Sequence, residues 1–132
     1  MFIDSHAHAY RRPPPIYGMC RPDQVIERYD QAGITKGALL PVVNPEIYLP
    51  QANEDILEMV EQHPDRFFAF CNVDPRAMTN SVDAPLWKVL AHYRDQGCRG
   101  VGEIMPNVPM RDPMVQNLFK NAQEVGLPVT FD

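Results

Sequence analysis

Two histidines near the start of the chain have the spacing of a metal-chelating pair. His6 and His8 stand two residues apart in the run Ile3-Asp4-Ser5-His6-Ala7-His8. Alternate residues of a β-strand project from the same face, so on a strand both imidazoles would point the same way and could share one cation. Two solvent-facing histidines in a loop would give the same pattern, and the position of the pair in the fold therefore decides its meaning.

A carboxylate further along the chain is a candidate third ligand. Glu103 lies in the run Arg99-Gly100-Val101-Gly102-Glu103-Ile104, where strand alternation points it the same way as Arg99 and Val101. Gly100 and Gly102 leave room for a ligand or for a closely packed backbone. The sequence leaves open whether Glu103 binds a metal, contacts a substrate or forms a structural ion pair.

The elements that must position these residues follow a regular rhythm. Runs rich in β-branched or aromatic residues alternate with amphipathic helical stretches, which predicts a parallel α/β fold. The strands recur roughly every 30 residues, the length of one βα unit. Their predicted starts are Phe2, Ile34, Phe67, Cys98 and Leu127.

Four helices are predicted between these strands, over 23–32, 53–63 and 84–96 and from Pro113 to a stop at Gly126. Asp83 and Asp112 are the expected caps of the last two helices. Glycines are expected to end three of the four, which makes the turns from helix to strand short.

The longer loops follow the strands instead, over 12–17, 40–51, 73–83 and 105–112. This edge of a parallel sheet is where α/β proteins place ligand sites, and His6 and His8 fall on it. Asn72, Asp74 and Arg76 lie on the same edge, where they could hold a carboxylate or amide substrate.

The Asp-Ser-His-Ala-His run at the end of a first strand resembles the amidohydrolase superfamily, and within it the amidohydrolase-2 branch. The resemblance extends from Ile3 to Asp132. It implies a (β/α)8 barrel of the TIM type, of which residues 1–132 would be one domain forming the N-terminal half, with four βα units and a fifth strand. It also implies that His6 and His8 bind a catalytic metal, with Glu103 as the strand-four carboxylate that some members use.

The fifth strand departs from the family pattern, because Asp132 falls where similar segments commonly have a histidine. An oxygen ligand can replace nitrogen on Zn²⁺, but Asp132 could instead be a substrate contact or support a ligand, and a single-metal site is expected. The family's acid-base aspartate comes from strand eight and would lie beyond residue 132. The catalytic residues therefore stay unknown, and the 132-residue chain alone is expected to be incomplete and inactive.

The resemblance implies a metal-dependent hydrolase in which a divalent ion, Zn²⁺ or alternatively Mn²⁺, activates water against a C–N or C–O bond of a small carbonyl substrate. The same branch contains non-oxidative decarboxylases, and the sequence does not separate the two reactions. Two alternatives of other classes remain: a non-catalytic half-barrel fragment, and a flavodoxin-like open sheet of five strands, which 132 residues would complete and which would serve as a binding module.

Composition limits the function further. The chain has 45% hydrophobic and 22% charged residues and a net charge of -5, which favours a globular protein with a small-molecule partner over a nucleic-acid surface. We recognise neither a bilayer-spanning run nor a signal peptide in the sequence. This predicts a cytoplasmic protein without a membrane partner. A homo-oligomer is possible. Cys20, Cys71 and Cys98 are expected to be buried free thiols.

Overall fold

The computed structural model describes residues 1–13, 18–43 and 51–131. Strands and helices alternate along these residues, as the sequence predicts. The strands are β1 Phe2–Ala7, β2 Ile34–Leu39, β3 Phe67–Ala69, β4 Val101–Ile104 and β5 Val129–Phe131. The helices are α1 Pro22–Ala32, α2 Asn53–Gln62, α3 Trp87–Asp95 and α4 Pro113–Val125. Parts of the predicted loops 12–17 and 40–51, together with Asp132, lie outside the described residues.

The strands are parallel and follow one another in chain order. β1 pairs with β2, β2 with β3, and β4 with β5. A bridge between Cys71 and Val101 joins the two groups, supported by hydrogen bonds from the Cys71 N–H to the Gly100 carbonyl oxygen (2.9 Å) and from the Gly102 N–H to the Cys71 carbonyl oxygen (2.8 Å). A flavodoxin-type sheet places β1 between β2 and β3, whereas here β2 lies between β1 and β3. The flavodoxin-like alternative is therefore wrong.

The sheet curves as the wall of a barrel does. In a flat sheet β1 and β4 would be three strand spacings apart, about 14 Å. His6 Nε2 of β1 nevertheless lies 3.2 Å from Glu103 Oε2 of β4. The strands must bend towards the face that carries these side chains, which agrees with the predicted (β/α)8 architecture.

The helices cover the strands and one another: α1 packs against β2, α2 against β3, and α3 against α4. Fully or almost fully buried side chains come from every layer, namely Tyr29, Leu39, Ile56, Met59, Phe67, Leu90, Val101, Ile104, Val115 and Leu118. Asp112 caps α4 as predicted, with its Oδ1 accepting a hydrogen bond from the Met114 N–H (2.8 Å), and Gly126 ends this helix in the left-handed conformation (φ 74°). The three cysteines are buried and free, as predicted.

The start of α3 differs from the prediction. The helix begins at Trp87 rather than at residue 84, and Asp83 does not cap it, because the Asp83 carboxylate instead accepts a hydrogen bond from the Ser81 hydroxyl (2.7 Å). Pro85 disfavours the helical conformation for the residue before it, which delays the first turn. The Trp87 N–H donates instead to Asn121 Oδ1 of α4 (2.7 Å).

The last two strands begin two to three residues later than predicted. None of the described helices is long and apolar enough to cross a lipid bilayer. The predictions of a cytoplasmic location and of a single domain are not tested by the fold and stay predictions.

Candidate metal centre

Three ligand atoms converge at the carboxyl end of the curved sheet. His6 Nε2 and His8 Nε2 are 3.1 Å apart, and each lies 3.2 Å from Glu103 Oε2. The Glu103 side chain is only 12% exposed, whereas the two imidazoles are partly open to solvent. The structure thus brings together the three residues that the sequence suggested as metal ligands.

The ring of His8 is oriented by the neighbouring strand. Its Nδ1 lies 2.9 Å from the carbonyl oxygen of Leu40, directly after β2. A carbonyl oxygen can only accept, so in the neutral ring the proton sits on Nδ1 and the lone pair on Nε2. That lone pair faces the carboxylate of Glu103. Two acceptors at this separation repel each other unless a cation or a proton lies between them.

The donor set and its dimensions fit a divalent ion. Two imidazoles and one carboxylate are a common ligand set for Zn²⁺, with bonds of about 2.0 to 2.2 Å. Tetrahedral geometry at those bond lengths separates neighbouring ligand atoms by about 3.3 to 3.6 Å. The observed separations of 3.1 to 3.2 Å are slightly shorter, so a small outward movement of the side chains would accommodate the ion.

His6 is held through its main chain. Its N–H donates to Asp4 Oδ1 (3.0 Å), and Asp4 Oδ2 accepts a hydrogen bond from the Tyr29 hydroxyl of α1 (2.9 Å). Tyr29 can reach Asp4 because Gly37 of β2 has no side chain, since a Cβ there would lie 2.0 Å from the Tyr29 hydroxyl oxygen. Burial, followed by the hydrogen bond to Asp4, raises the pKa of Tyr29.

Glu103 is positioned by close packing of β4 on β5. A Cβ on Gly102 would lie 2.3 Å from Thr130 Cγ2 and 2.6 Å from the Thr130 carbonyl oxygen, so only glycine allows this approach. At Gly102 the closely packed group is thus the neighbouring strand, whereas a Cβ on Gly100 would meet the Phe70 ring at 2.5 Å.

The predicted substrate contact Asn72 lies beside Glu103 and supports its main chain. Asn72 is buried, and its Nδ2 donates to the Glu103 carbonyl oxygen (2.5 Å). Its own main chain is bonded in both directions by the Asn53 side chain at the start of α2. A direct contact of Asn72 with substrate stays a prediction.

Asp74 and Arg76 bind each other. The guanidinium donates to both carboxylate oxygens at 2.9 Å and also to the Pro106 carbonyl oxygen (3.2 Å). The pair lies at the loop after β3, where its charges neutralise one another. Their predicted role in substrate binding is not tested, and Asp132, the other predicted contact, lies outside the described residues.

Two polar residues near the centre were missed in the sequence. Tyr10 follows His8 by two residues, and burial, followed by the negative charge of Glu103, raises its pKa. The alternation that singled out His6 and His8 extends to Tyr10 and could have found it. Gln51 is buried beside the same loop, with its Nε2 donating to the Ala9 carbonyl oxygen (2.6 Å), and no local pattern identifies it.

The fold matches amidohydrolase-2 TIM-barrel structures over about half of their length. A probable 2-pyrone-4,6-dicarboxylic acid hydrolase from Acinetobacter baumannii superposes with a TM-score of 0.64 at 20% sequence identity, covering 98% of this chain and 48% of that one. A structure described as amidohydrolase II gives a TM-score of 0.68 at 13% identity, covering 99% of this chain and 50% of that one.

A third similar structure is a manganese-containing 5-carboxyvanillate decarboxylase from Novosphingobium aromaticivorans, with a TM-score of 0.56 at 19% identity, covering 80% of this chain and 33% of that one. No family model matches the sequence, and no curated protein sequence is significantly similar to it. The chain thus has the fold of half a TIM barrel and spans about half the length of the first two structures.

Proposed function

We propose that this chain provides the metal-binding half of an amidohydrolase-type enzyme, in which His6, His8 and Glu103 hold one divalent cation. The observation that carries the proposal is the convergence of three lone-pair-bearing atoms at separations of 3.1 to 3.2 Å. The half-barrel match supports it, because this is the edge of the fold where barrel enzymes place their active sites.

The favoured reaction is hydrolysis of a C–N or C–O bond in a small carbonyl substrate. When bound, a Zn²⁺ ion would bring the pKa of a coordinated water towards neutrality and polarise the substrate carbonyl. The protein residues contribute fixed geometry: Leu40 holds the His8 ring, Asp4 the main chain of His6, and Asn72 the main chain of Glu103. The net charge of -5 further favours a small molecule over nucleic acid as the partner.

Decarboxylation is the second candidate reaction. The similar 5-carboxyvanillate decarboxylase contains manganese, and a carboxylate-containing ligand set also suits Mn²⁺. For both reactions we expect the 132-residue chain alone to bind metal without turnover. His6, His8 and Glu103 would hold the metal, and no other residue of the chain is assigned as the acid or base of the reaction. If the chain binds no metal at all, the non-catalytic half-barrel becomes the better interpretation.

Metal titration tests the proposal directly. We expect the metal-free chain to bind one equivalent of Zn²⁺ in calorimetry, and elemental analysis after gel filtration to find about one metal per chain. His6→Ala, His8→Ala and Glu103→Gln should each weaken binding by about 100-fold or more, because loss of a mere supporting partner of a ligand already costs about 10- to 100-fold. His92→Ala is the matched control, because His92 is exposed on α3 and contacts Gln96. Equal zinc binding by His8→Ala and His92→Ala would refute the assignment.

A further inference from the structure

A side chain at the start of α2 is joined to the metal centre by a chain of hydrogen bonds. Asn53 is the first residue of α2, and it is buried. Its side chain bonds the main chain of Asn72, whose own side chain donates to the carbonyl oxygen of Glu103. Asn53 is thus linked to a candidate metal ligand through one intermediate residue.

The amide of Asn53 matches the main chain of Asn72 at two points. Its Nδ2 donates to the Asn72 carbonyl oxygen (3.0 Å), and its Oδ1 accepts a hydrogen bond from the Asn72 N–H (2.8 Å). Two bonds in opposite directions fix the rotation of Asn72 as well as its distance from α2. Asparagine can form both because its amide has a donor and an acceptor, whereas the carboxylate of an aspartate has acceptors only.

Asn72 continues the connection between the third and fourth strand regions by means of its side chain. One residue earlier, Cys71 is bonded through its main chain to Gly100 and Gly102. At the next position the link is made by Asn72 Nδ2, which donates to the Glu103 carbonyl oxygen. A side chain can hold its target only as firmly as its own main chain is held. The main chain of Asn72 is held by Asn53.

The linked groups are shielded from water. Asn53 is 6% exposed and Asn72 5%, and the side chain of Glu103 is 12% exposed. If the Asn53 amide were removed, a buried N–H and a buried carbonyl oxygen of Asn72 would lose their partners, which is costly where water does not replace them. Asn72 would therefore shift towards new partners, and Glu103 would shift with it.

We propose that Asn53 is a positioning residue of the metal centre, which sets the place of Glu103 through Asn72. Its role at a metal rests on the proposed function, whereas its effect on Glu103 is already present in the metal-free chain. Loss of a group that orients a metal ligand costs about 10- to 100-fold in metal affinity. Because Asn53 acts through an intermediate residue, we expect the lower end of that range.

Asn53→Ala tests the proposal, and Asn121→Ala is its matched control. Asn121 is an equally buried asparagine, but its side chain bonds the Trp87 N–H and the Asn117 carbonyl oxygen. Both variants should be less stable than the unmodified chain. Only Asn53→Ala should bind Zn²⁺ more weakly, by about tenfold, in calorimetry on the folded protein. It alone should also change the absorption spectrum of bound Co²⁺, which reports the arrangement of the ligands and not the stability of the fold.

A double-variant cycle tests the route through Asn72. Asn72→Ala should weaken zinc binding by about tenfold or more. Asn53→Ala added to Asn72→Ala should then weaken it little further, because the intermediate is already missing. Losses that simply add would contradict action through Asn72.

NMR on the unmodified chain gives a measurement that does not depend on the folding of a variant. Coupling between two sites is reciprocal, so a metal that draws on Glu103 should also affect Asn53. Addition of Zn²⁺ should shift the signals of the Asn53 side-chain amide and the Asn72 main-chain amide, and leave that of the Asn121 side-chain amide unchanged. In the metal-free state, Asn53→Ala should shift the carbonyl-carbon signal of Glu103, and Asn121→Ala should not.

Two results would overturn the positioning role while leaving the proposed function intact. One is a chain that binds zinc without any shift at Asn53 and Asn72. The other is equal zinc affinity in Asn53→Ala and Asn121→Ala. A chain that binds no zinc would overturn the proposed function and, with it, the role of Asn53 at a metal.

Discussion

The Nδ1 atom of His8 lies 2.9 Å from the main-chain carbonyl oxygen of Leu40, so the residue after β2 sets the ring orientation of a candidate ligand that follows β1. The position of this carbonyl group is steadied by β1, because the Leu40 N–H donates to the Ala7 carbonyl oxygen (2.9 Å). The lone pair of Nε2 is thereby aimed at the point where His6 and Glu103 also converge.

This geometry predicts the tautomer of His8. In the metal-free chain at neutral to mildly alkaline pH, nitrogen NMR should find the neutral ring protonated on Nδ1, since the Leu40 oxygen requires a donor. Addition of Zn²⁺ should shift the Nε2 resonance and leave the proton on Nδ1. A metal-free ring protonated on Nε2, or zinc binding through Nδ1, would contradict the arrangement.

Gly102→Ala should disturb both stability and the metal centre. The new Cβ would meet the backbone and side chain of Thr130, and φ at this residue is 149°, which L side chains rarely adopt. We expect a loss of about 3 kcal/mol or more in the free energy of unfolding, together with weaker zinc binding because Glu103 is displaced.

Gly18→Ala is the control for that substitution. Gly18 also has a positive φ, 62°, but a Cβ there would meet no atom of the described residues within 4 Å. It should cost only about 1 to 2 kcal/mol in urea denaturation and leave zinc binding unchanged. Similar losses for the two variants would show that the contact with Thr130 is not decisive.

Tyr29 should make the fold sensitive to alkaline pH. Its pKa is raised in the folded chain above the ordinary value of 10.0, so the folded state retains the phenolic proton at pH values where the unfolded state releases it. The stabilisation that the folded state gains from this raised pKa of Tyr29 is therefore complete below pH 10. It is lost as pH rises through and above that value.

Tyr29→Phe tests this sign. At pH 7 the variant should lose about 1 kcal/mol, the usual worth of one hydrogen bond, because Asp4 loses its donor. Above pH 10 its stability should fall less steeply than that of the unmodified chain, although Tyr10 and Tyr93 also have raised pKa values and keep part of the slope. Parallel stability curves for the two proteins would refute the role given to Tyr29.

Asn121→Ala should loosen the start of α3. Loss of the acceptor for the Trp87 N–H should cost about 1 to 2 kcal/mol and speed hydrogen exchange at that amide. Gln123→Ala, an exposed change on the same helix, should do neither. Unchanged protection of the Trp87 amide in Asn121→Ala would show that another group caps the helix.

The elements that the sequence predicts correctly are those with local signals. Asp112, Pro113 and Gly126 define α4 because a cap, a first-turn proline and a left-handed stop act within a few residues of one another. The start of α3 could not be predicted in this way, since its partner Asn121 is 34 positions away in the chain. Tertiary contacts override a local cap signal such as Asp83 whenever a better acceptor is supplied from elsewhere.

The same distinction holds for the candidate metal centre. The spacing of His6 and His8 is a local feature that, together with its place at the end of a first strand, predicts a ligand pair, whereas the part played by Glu103 depends on how far the sheet curves between β1 and β4. Gln51 had no sequence signal at all. Its burial and its hydrogen bond to the Ala9 carbonyl oxygen are tertiary features, which no local pattern predicts.

The hydrogen bond from Trp87 to Asn121 also has a consequence for biosynthesis. When the chain emerges from a ribosome, the segment that becomes α3 is complete well before Asn121 has been translated. Its first turn must wait for the next helix to arrive, so the two helices are expected to become ordered together rather than in succession.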